Sequence, residues 1–384
     1  MLHSVVVHSE DPSPEEASRE LARAARAAWQ PKSPPRIGLL FVSGAMDPAP
    51  YLRTLRKTFP GMRIVGCSSD GEMSREKGHH TDSAVLALLD SDTIRFEPFV
   101  CTDIEQGPEA SMERGLSGPL AGAEPPALGL VFAEALARVG GDAIVGELRR
   151  RVGDEVPLFG ALAADDWCFK KTTQFLDETV HQGAVVGLLL FGPVEVGYGV
   201  ESGWRPLGPP VRIDRSEGNS VHRIDGMTAS AYYDSLVGRA PDMAGGYPLL
   251  FEQGSSRYLR APLQEADGSI LFAGLVPEGV EAMVSTATPK QILAAAAESA
   301  SEAAAMLAGP PDFVLLISCA ARHYVLGAQA RREIGEALGA FGPEVPVAGL
   351  YGYGEIAPFR GADGQHSLFY NEAFVCMALR EGAA

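Results

Sequence analysis

Three strings in this chain share one spacing. They are Gly66-Cys67-Ser68-Ser69-Asp70-Gly71-Glu72, Gly160-Ala161-Leu162-Ala163-Ala164-Asp165-Asp166 and Gly349-Leu350-Tyr351-Gly352-Tyr353-Gly354-Glu355. In each, an acid stands six residues after the first glycine. Turns at the C-terminal ends of strands are where open α/β sheets bind ligands, because backbone N–H groups and side chains converge there. Glycine also lets backbone approach a ligand closely. Glu72, Asp166 and Glu355 would accept hydrogen bonds from an amine or a hydroxyl, with Ser68, Asp70, Asp165 and Tyr353 beside them. The same strings also suit tight structural turns whose acid caps nearby N–H groups.

Arg322, in Ser318-Cys319-Ala320-Ala321-Arg322, follows a buried-type strand. It could clamp a ligand carboxylate bidentately or pair with a turn acid. Cys67 and Cys319 are the best-placed thiols for a nucleophile, and both equally suit small buried positions. Asn371 could orient a ligand or cap a strand end. The histidines, His80, His181, His323 and His366 among them, have no chelating spacing. A single one could ligate a haem iron, and a surface or helix-end role suits each as well. A dinucleotide fingerprint, a Walker A loop, a His-Glu-x-x-His helix and a Gly-x-Ser-x-Gly elbow are all missing. Ligand binding without turnover is the expectation, with no metal and no resident cofactor. A Cys- or carboxylate-dependent enzyme is an alternative.

Composition narrows the partners. The 384 residues include 32 basic and 49 acidic side chains, for a net charge of −17. Such a surface repels phosphate backbones and anionic lipids, so no nucleic acid and no membrane insertion are expected. The five cysteines are scattered without a Cys-x-x-Cys pair, which points to a reducing compartment. The first residues have neither a basic nor an apolar leader region, and no uncharged run is long enough to span a bilayer. A cytoplasmic protein is the expectation.

The three strings recur within a larger pattern. An apolar strand (37–43, 128–132, 313–318) leads into a helix, a short second strand, the glycine string, a polar stretch and a final apolar strand (84–89, 184–190, 373–379). The fold class expected is α/β, with repeated strand-helix-strand-turn-strand units forming mixed layered sheets. Ser13-Pro14-Glu15-Glu16 and Thr288-Pro289-Lys290-Gln291 read as helix starts with capping boxes, and Asp142 as a further cap. The Gly- and Pro-rich segment 201–210 is the expected boundary. It gives an N-terminal strand and helix (1–34) and two α/β domains, 35–205 and 206–384. Residues 229–237 read as a helix within the stretch between the second and third units.

In order and spacing, these strings, with Ser318–Arg322 and Asn371, resemble the FIST family, in its FIST N and FIST C parts. Ala161 and Tyr370 depart from the pattern, where the family often has glycine and histidine. The resemblance implies a stand-alone bacterial sensory protein for a small molecule such as an amino acid. It also implies an alternative, a haem-binding nitric-oxide sensor that regulates a histidine kinase or a cyclic-di-nucleotide enzyme. Any output would pass to a signalling partner in trans. The site residues implied are Cys67, Ser68, Asp70, Glu72, Asp165, Asp166, Cys319, Arg322, Tyr353, Glu355 and Asn371, gathered around one polar pocket.

Overall fold

A computed structural model describes residues 1–238, 246–253, 256–361 and 364–382. Its α/β architecture is a ring of three similar units. The first holds β1 (His3–Ser9), α1 (Pro14–Ala28), β2 (Ile37–Ser43), α2 (Ala49–Thr58), β3 (Arg63–Ser69), β4 (Glu72–Ser74), β5 (Gly78–His80) and β6 (Ala84–Asp90). The second holds β7 (Arg95–Cys101), α3 (Pro108–Leu116), β8 (Leu128–Ala133), α4 (Gly141–Val152), β9 (Leu158–Leu162), β10 (Gln174–Leu176), β11 (Thr179–His181) and β12 (Val185–Phe191). The third opens with β13 (Val194–Glu201) and is then interrupted by a lobe. The lobe comprises β14 (Arg205–Pro206), β15 (Val211–Glu217), β16 (Ser220–Ile224), β17 (Met227–Thr228), α5 (Ala229–Val237), β18 (Leu249–Gln253), β19 (Ser256–Arg260), β20 (Pro262–Ala266), β21 (Ser269–Phe272) and β22 (Glu281–Thr286). The third unit resumes with α6 (Pro289–Ala305), β23 (Phe313–Cys319), α7 (Ala320–Leu326), α8 (Ala330–Leu338), β24 (Val347–Gly352), β25 (Glu355–Gly361), β26 (Gly364–Tyr370) and β27 (Phe374–Glu381).

Each unit builds a parallel pair, β2–β3, β8–β9 or β23–β24, flanked by an antiparallel strand from the same unit. The short hairpin of each unit is handed to a neighbour. β4–β5 extends the third sheet, β10–β11 the first, and β25–β26 the second. This exchange closes the ring. The strands are buried on both faces, so they read as near-continuous apolar runs. One face of each sheet meets a shared central core, with Phe41, Phe132, Phe159, Ile317 and Leu350. The other face is covered by that unit's helices, for example Leu21, Leu52 and Leu55 on Leu40 and Leu86.

Capping follows the sequence in part. Ser13 accepts from the Glu16 N–H, and Thr288 with Gln291 forms the reciprocal box. Asp142 does not cap α4, which starts from Gly140. Its carboxylate instead reaches the lobe, pairing with Arg260 at 2.7 Å and accepting from the Leu275 N–H.

Gly66, Gly160 and Gly349 are not turn glycines. They lie inside β3, β9 and β24, against the parallel neighbour. A Cβ on Gly66 or Gly160 would fall 1.7 Å from the carbonyl oxygen of Leu40 or Val131. Their function is to let two backbones approach.

Candidate functional site

Strand register corrects the repeated acid. Glu72 pairs with Leu350, Gln174 with Cys67 and Glu355 with Ala161. Each partner stands one residue after its strand glycine, so Glu72, Gln174 and Glu355 are equivalent. Asp166 is not. It belongs to the long loop 163–173, where the other units have the short turns 70–71 and 353–354. Gln174 is fully buried, and neither end of its amide has a hydrogen-bond partner among the described residues.

The ends of the three strings touch at loop 163–173, where Tyr353 donates to Asp165 and Trp167 to Asp70, while their acids fall into two clusters. The first cluster lies where the first unit meets loop 163–173. The Ser69 and Ser83 hydroxyls donate to Glu72, and His8 bridges Ser83 and Ser74 at 3.0 and 2.9 Å. Burial pushes the Glu72 carboxyl well up and holds His8 down to about 3. His8 is therefore neutral near pH 7. The Asp166 carboxylate accepts from Ser43 at 3.1 Å. Burial and the Asp70 charge push it up to about 6. Asp165 gathers loop 163–173 by accepting from the N–H groups of Phe169, Lys170 and Lys171 and from Tyr353 Oη. Asp166, Trp167 and Phe169 have φ of +53°, +59° and +49°. Three such non-glycine residues in one loop store strain of roughly 1–3 kcal/mol each. Asp70 Oδ2 binds both Trp167 Nε1 and His323 Nδ1 at 3.1 Å. Ser68 accepts from the Thr173 N–H at 3.0 Å.

The second cluster lies in the third unit. Glu355 accepts from the Ala373 N–H at 3.0 Å. Glu372 is fully buried, sits at φ +59°, and neither carboxyl oxygen has a hydrogen-bond partner among the described residues. Burial pushes it up to about 8. Arg322 is also fully buried and is committed to Glu333 at 2.8 Å, with further bonds to the carbonyls of Ser202, Ile292 and Glu372. Its partner is a helix acid rather than a turn acid. Cys67 packs in the central core. Burial pushes its thiol and that of Cys319 up, opposite to what a cysteine nucleophile needs.

Asn371 alone of the expected residues lines the large cleft, about 870 Å³, between the third unit and the lobe. Sequence reasoning missed the rest of it. The trunk wall carries Glu201 on β13 and Glu298 and Glu302 on α6, with carboxylate oxygens within 4.8 Å of one another. The lobe wall carries Arg257 and Glu252 on β18–β19, ion-paired at 2.6 Å. Arg205, Tyr198, Tyr258, Phe359 and Tyr370 are also among its lining residues. Burial and the charges of Glu298 and Glu302 push Glu201 up to about 7. The hairpin β18–β19 is moored by Leu250 and Leu259, which pack with Trp204 and Ile292. Asn371 Oδ1 accepts from the Ala261 N–H at 3.2 Å, and Arg260 donates to the Phe369 carbonyl at 3.0 Å. Two signals for this cleft were visible. Glu298 and Glu302 form a like-charge i,i+4 pair, which is unfavourable unless something uses it. Glu201 opens the boundary segment.

The FIST N domain family matches residues 36–227, and the FIST C domain family matches residues 229–358. The junction between them falls inside the lobe, before α5. FIST domains are signal-transduction sensory domains that bind small ligands. No curated protein matches the chain. One solved structure it resembles, over 99% of both chains, is titled a cyanuric acid hydrolase from A. caulinodans, at 10% identity and a TM-score of 0.35. A likeness that loose carries no argument about fold or chemistry. No helix among the described residues is long and apolar enough to cross a membrane.

Proposed function

Since the chain belongs to the FIST family, we propose that it is a cytoplasmic sensor of an amino-acid-like metabolite, seated in the cleft between trunk and lobe. The observation that carries this reading is the division of charge across that cleft. The trunk wall offers three clustered carboxylates, and the lobe wall offers an arginine. A zwitterion placed between them presents its ammonium to Glu201, Glu298 and Glu302 and its carboxylate to Arg257. Aromatic side chains line the remainder, as in most small-molecule sites. Because the two walls belong to different bodies of the fold, a bridging ligand favours one lobe position over others. That differential affinity is what a sensor requires. The signal then passes to a partner in trans, such as a histidine kinase. No histidine of the described residues lines the cleft, so a haem seated there would lack an imidazole ligand.

Isothermal titration against a panel of amino acids and related amines tests the reading. Binding that weakens in a Glu298→Gln/Glu302→Gln variant and in Arg257→Ala supports it. Affinity is also expected to fall as pH drops through about 7, where Glu201 takes up a proton. A monodisperse protein that binds none of the panel would sink it.

A further inference from the structure

Asp70, Trp167 and His323 come one from each unit of the ring, and none of them lines the cleft. Asp70 is buried in the turn after β3, at the C-terminal end of the parallel pair β2–β3. An indole N–H can only donate, so Trp167 Nε1 requires an acceptor oxygen on Asp70. The same oxygen, Oδ2, lies 3.1 Å from His323 Nδ1. His323 Nδ1 therefore carries the proton and donates it, which leaves the lone pair on Nε2. The imidazole is 23% exposed. Its ring is held by His79 at 4.8 Å and Tyr351 at 5.1 Å. Loop 163–173 keeps three strained residues in place to aim the indole at Asp70, and such strain gathers at functional sites.

We propose that Asp70, Trp167 and His323 form a second chemical site, with His323 Nε2 the general base for water attack on a small aryl ester. Asp70 and Trp167 are positioning residues that act through His323. Tyr324, 60% exposed and 5.7 Å from the Trp167 ring, is the platform for the flat part of the substrate. Arg331, whose charge reaches His79, favours the negative charge that develops. In the step, Nε2 takes one proton from water while the water oxygen bonds the carbonyl carbon. The tetrahedral centre then collapses, the bond to the leaving oxygen breaks, and the imidazolium returns its proton to that oxygen. One ester and one water become one acid and one phenol, with no other reactant.

The test uses the full chain with p-nitrophenyl acetate as the probe, following p-nitrophenol release. His323→Ala is expected to lower the rate by on the order of 10²-fold, the low end of what general-base catalysis contributes. Asp70→Asn is expected to lower kcat with KM unchanged and to move the pH–rate profile to lower pH. A purely structural Asp70 would not produce that pair of effects. A second measurement covers the case in which His323→Ala does not fold: carbethoxylation by diethyl pyrocarbonate, mapped on the native chain. His323 is expected to react faster than the exposed His3, and more slowly once Asp70 is Asn. The proposal is overturned if the native chain is no faster than an equal concentration of free imidazole. It is equally overturned if folded His323→Ala keeps the native rate, or if His323 reacts more slowly than His3.

Discussion

Glu372→Gln should make this protein more stable, and only above a definite pH. The Glu372 carboxyl is fully buried, with no hydrogen-bond partner for either oxygen among the described residues. Burial raises it from 4.5 to about 8, and the nearby Arg322 only moderates this. A carboxyl raised in the folded state contributes stability that is complete below its unfolded value. That contribution is lost as pH rises through the folded value. The window here is 4.5 to about 8. At 1.36 kcal/mol per unit, the loss is roughly 3 kcal/mol by pH 7 and roughly 5 kcal/mol above pH 8. Glutamine has the same shape and stays neutral, so it avoids that loss. It also inherits the same backbone at φ +59°, so strain cancels in the comparison. Urea unfolding of both proteins from pH 5 to pH 9 reads the difference directly. The two are expected to differ by less than about 1 kcal/mol at pH 5 and to separate progressively, with the variant the more stable. Glu355→Gln should move in the same direction, because burial and the Glu372 charge both raise Glu355. A difference that stays flat from pH 5 to pH 9 would refute the reasoning.

Three further predictions concern the frame. Gly160→Ala places a Cβ 1.7 Å from the Val131 carbonyl oxygen, so β8 and β9 must part. A loss of roughly 3 kcal/mol or more is expected in denaturant unfolding. Gly146→Ala, inside α4 with nothing within 4 Å, should instead gain about 0.5–1 kcal/mol. The Met1 ammonium lies 2.8 Å from Glu381, next to the last strand of the ring. Its pairing with Glu381 raises Met1 above 8.0. Burial alone would raise Glu381, but bonds from Met1, Ser91 and Thr93 outweigh it and hold Glu381 below 4.5. The pair's contribution is therefore complete between those values and is lost as pH rises through the Met1 value or falls through the Glu381 value. Thermal melts should show both losses in the native chain and neither in Glu381→Gln.

The repeat was legible because it rests on local rules. Apolar strands, the Ser13 and Thr288 caps and the helix at 229–237 all follow from short-range spacing. What could not be read depends on long-range partners. Asp142 looks like a cap from its position, yet Arg260 of the lobe takes its carboxylate. The glycines look like turns because strand pairing with a parallel neighbour leaves no mark in a single string. Gln174 was hidden because the loop 163–173 displaces it from the acids at Glu72 and Glu355. The hairpin partners His80 and His181 do not reveal it either, because Glu72 and Gln174 stand at different distances before them. The cleft was hidden because its walls, β13, α6 and the lobe hairpin, come together only when the third unit resumes after the lobe.

The exchange of hairpins explains why departures from the repeat carry information. Each of the ring's three sheets is completed by a neighbour's hairpin, so each unit depends on the other two. The backbone can then depart from the common pattern only where the hairpins and the parallel pairs are left intact. Two large departures exist, the loop 163–173 in the second unit and the lobe 205–286 in the third. Neither is needed to close the ring, since the first unit lacks both. Each also breaks a local rule. The loop holds non-glycine residues at positive φ, and the lobe brings Arg257 and Glu252 up to a wall of clustered acids. Features that lower stability without serving closure are expected at functional sites. That argument is the common ground for the two proposals, the Asp70–His323 pair under the loop and the cleft under the lobe. The equivalent trio Glu72, Gln174 and Glu355 belongs to the frame that holds both.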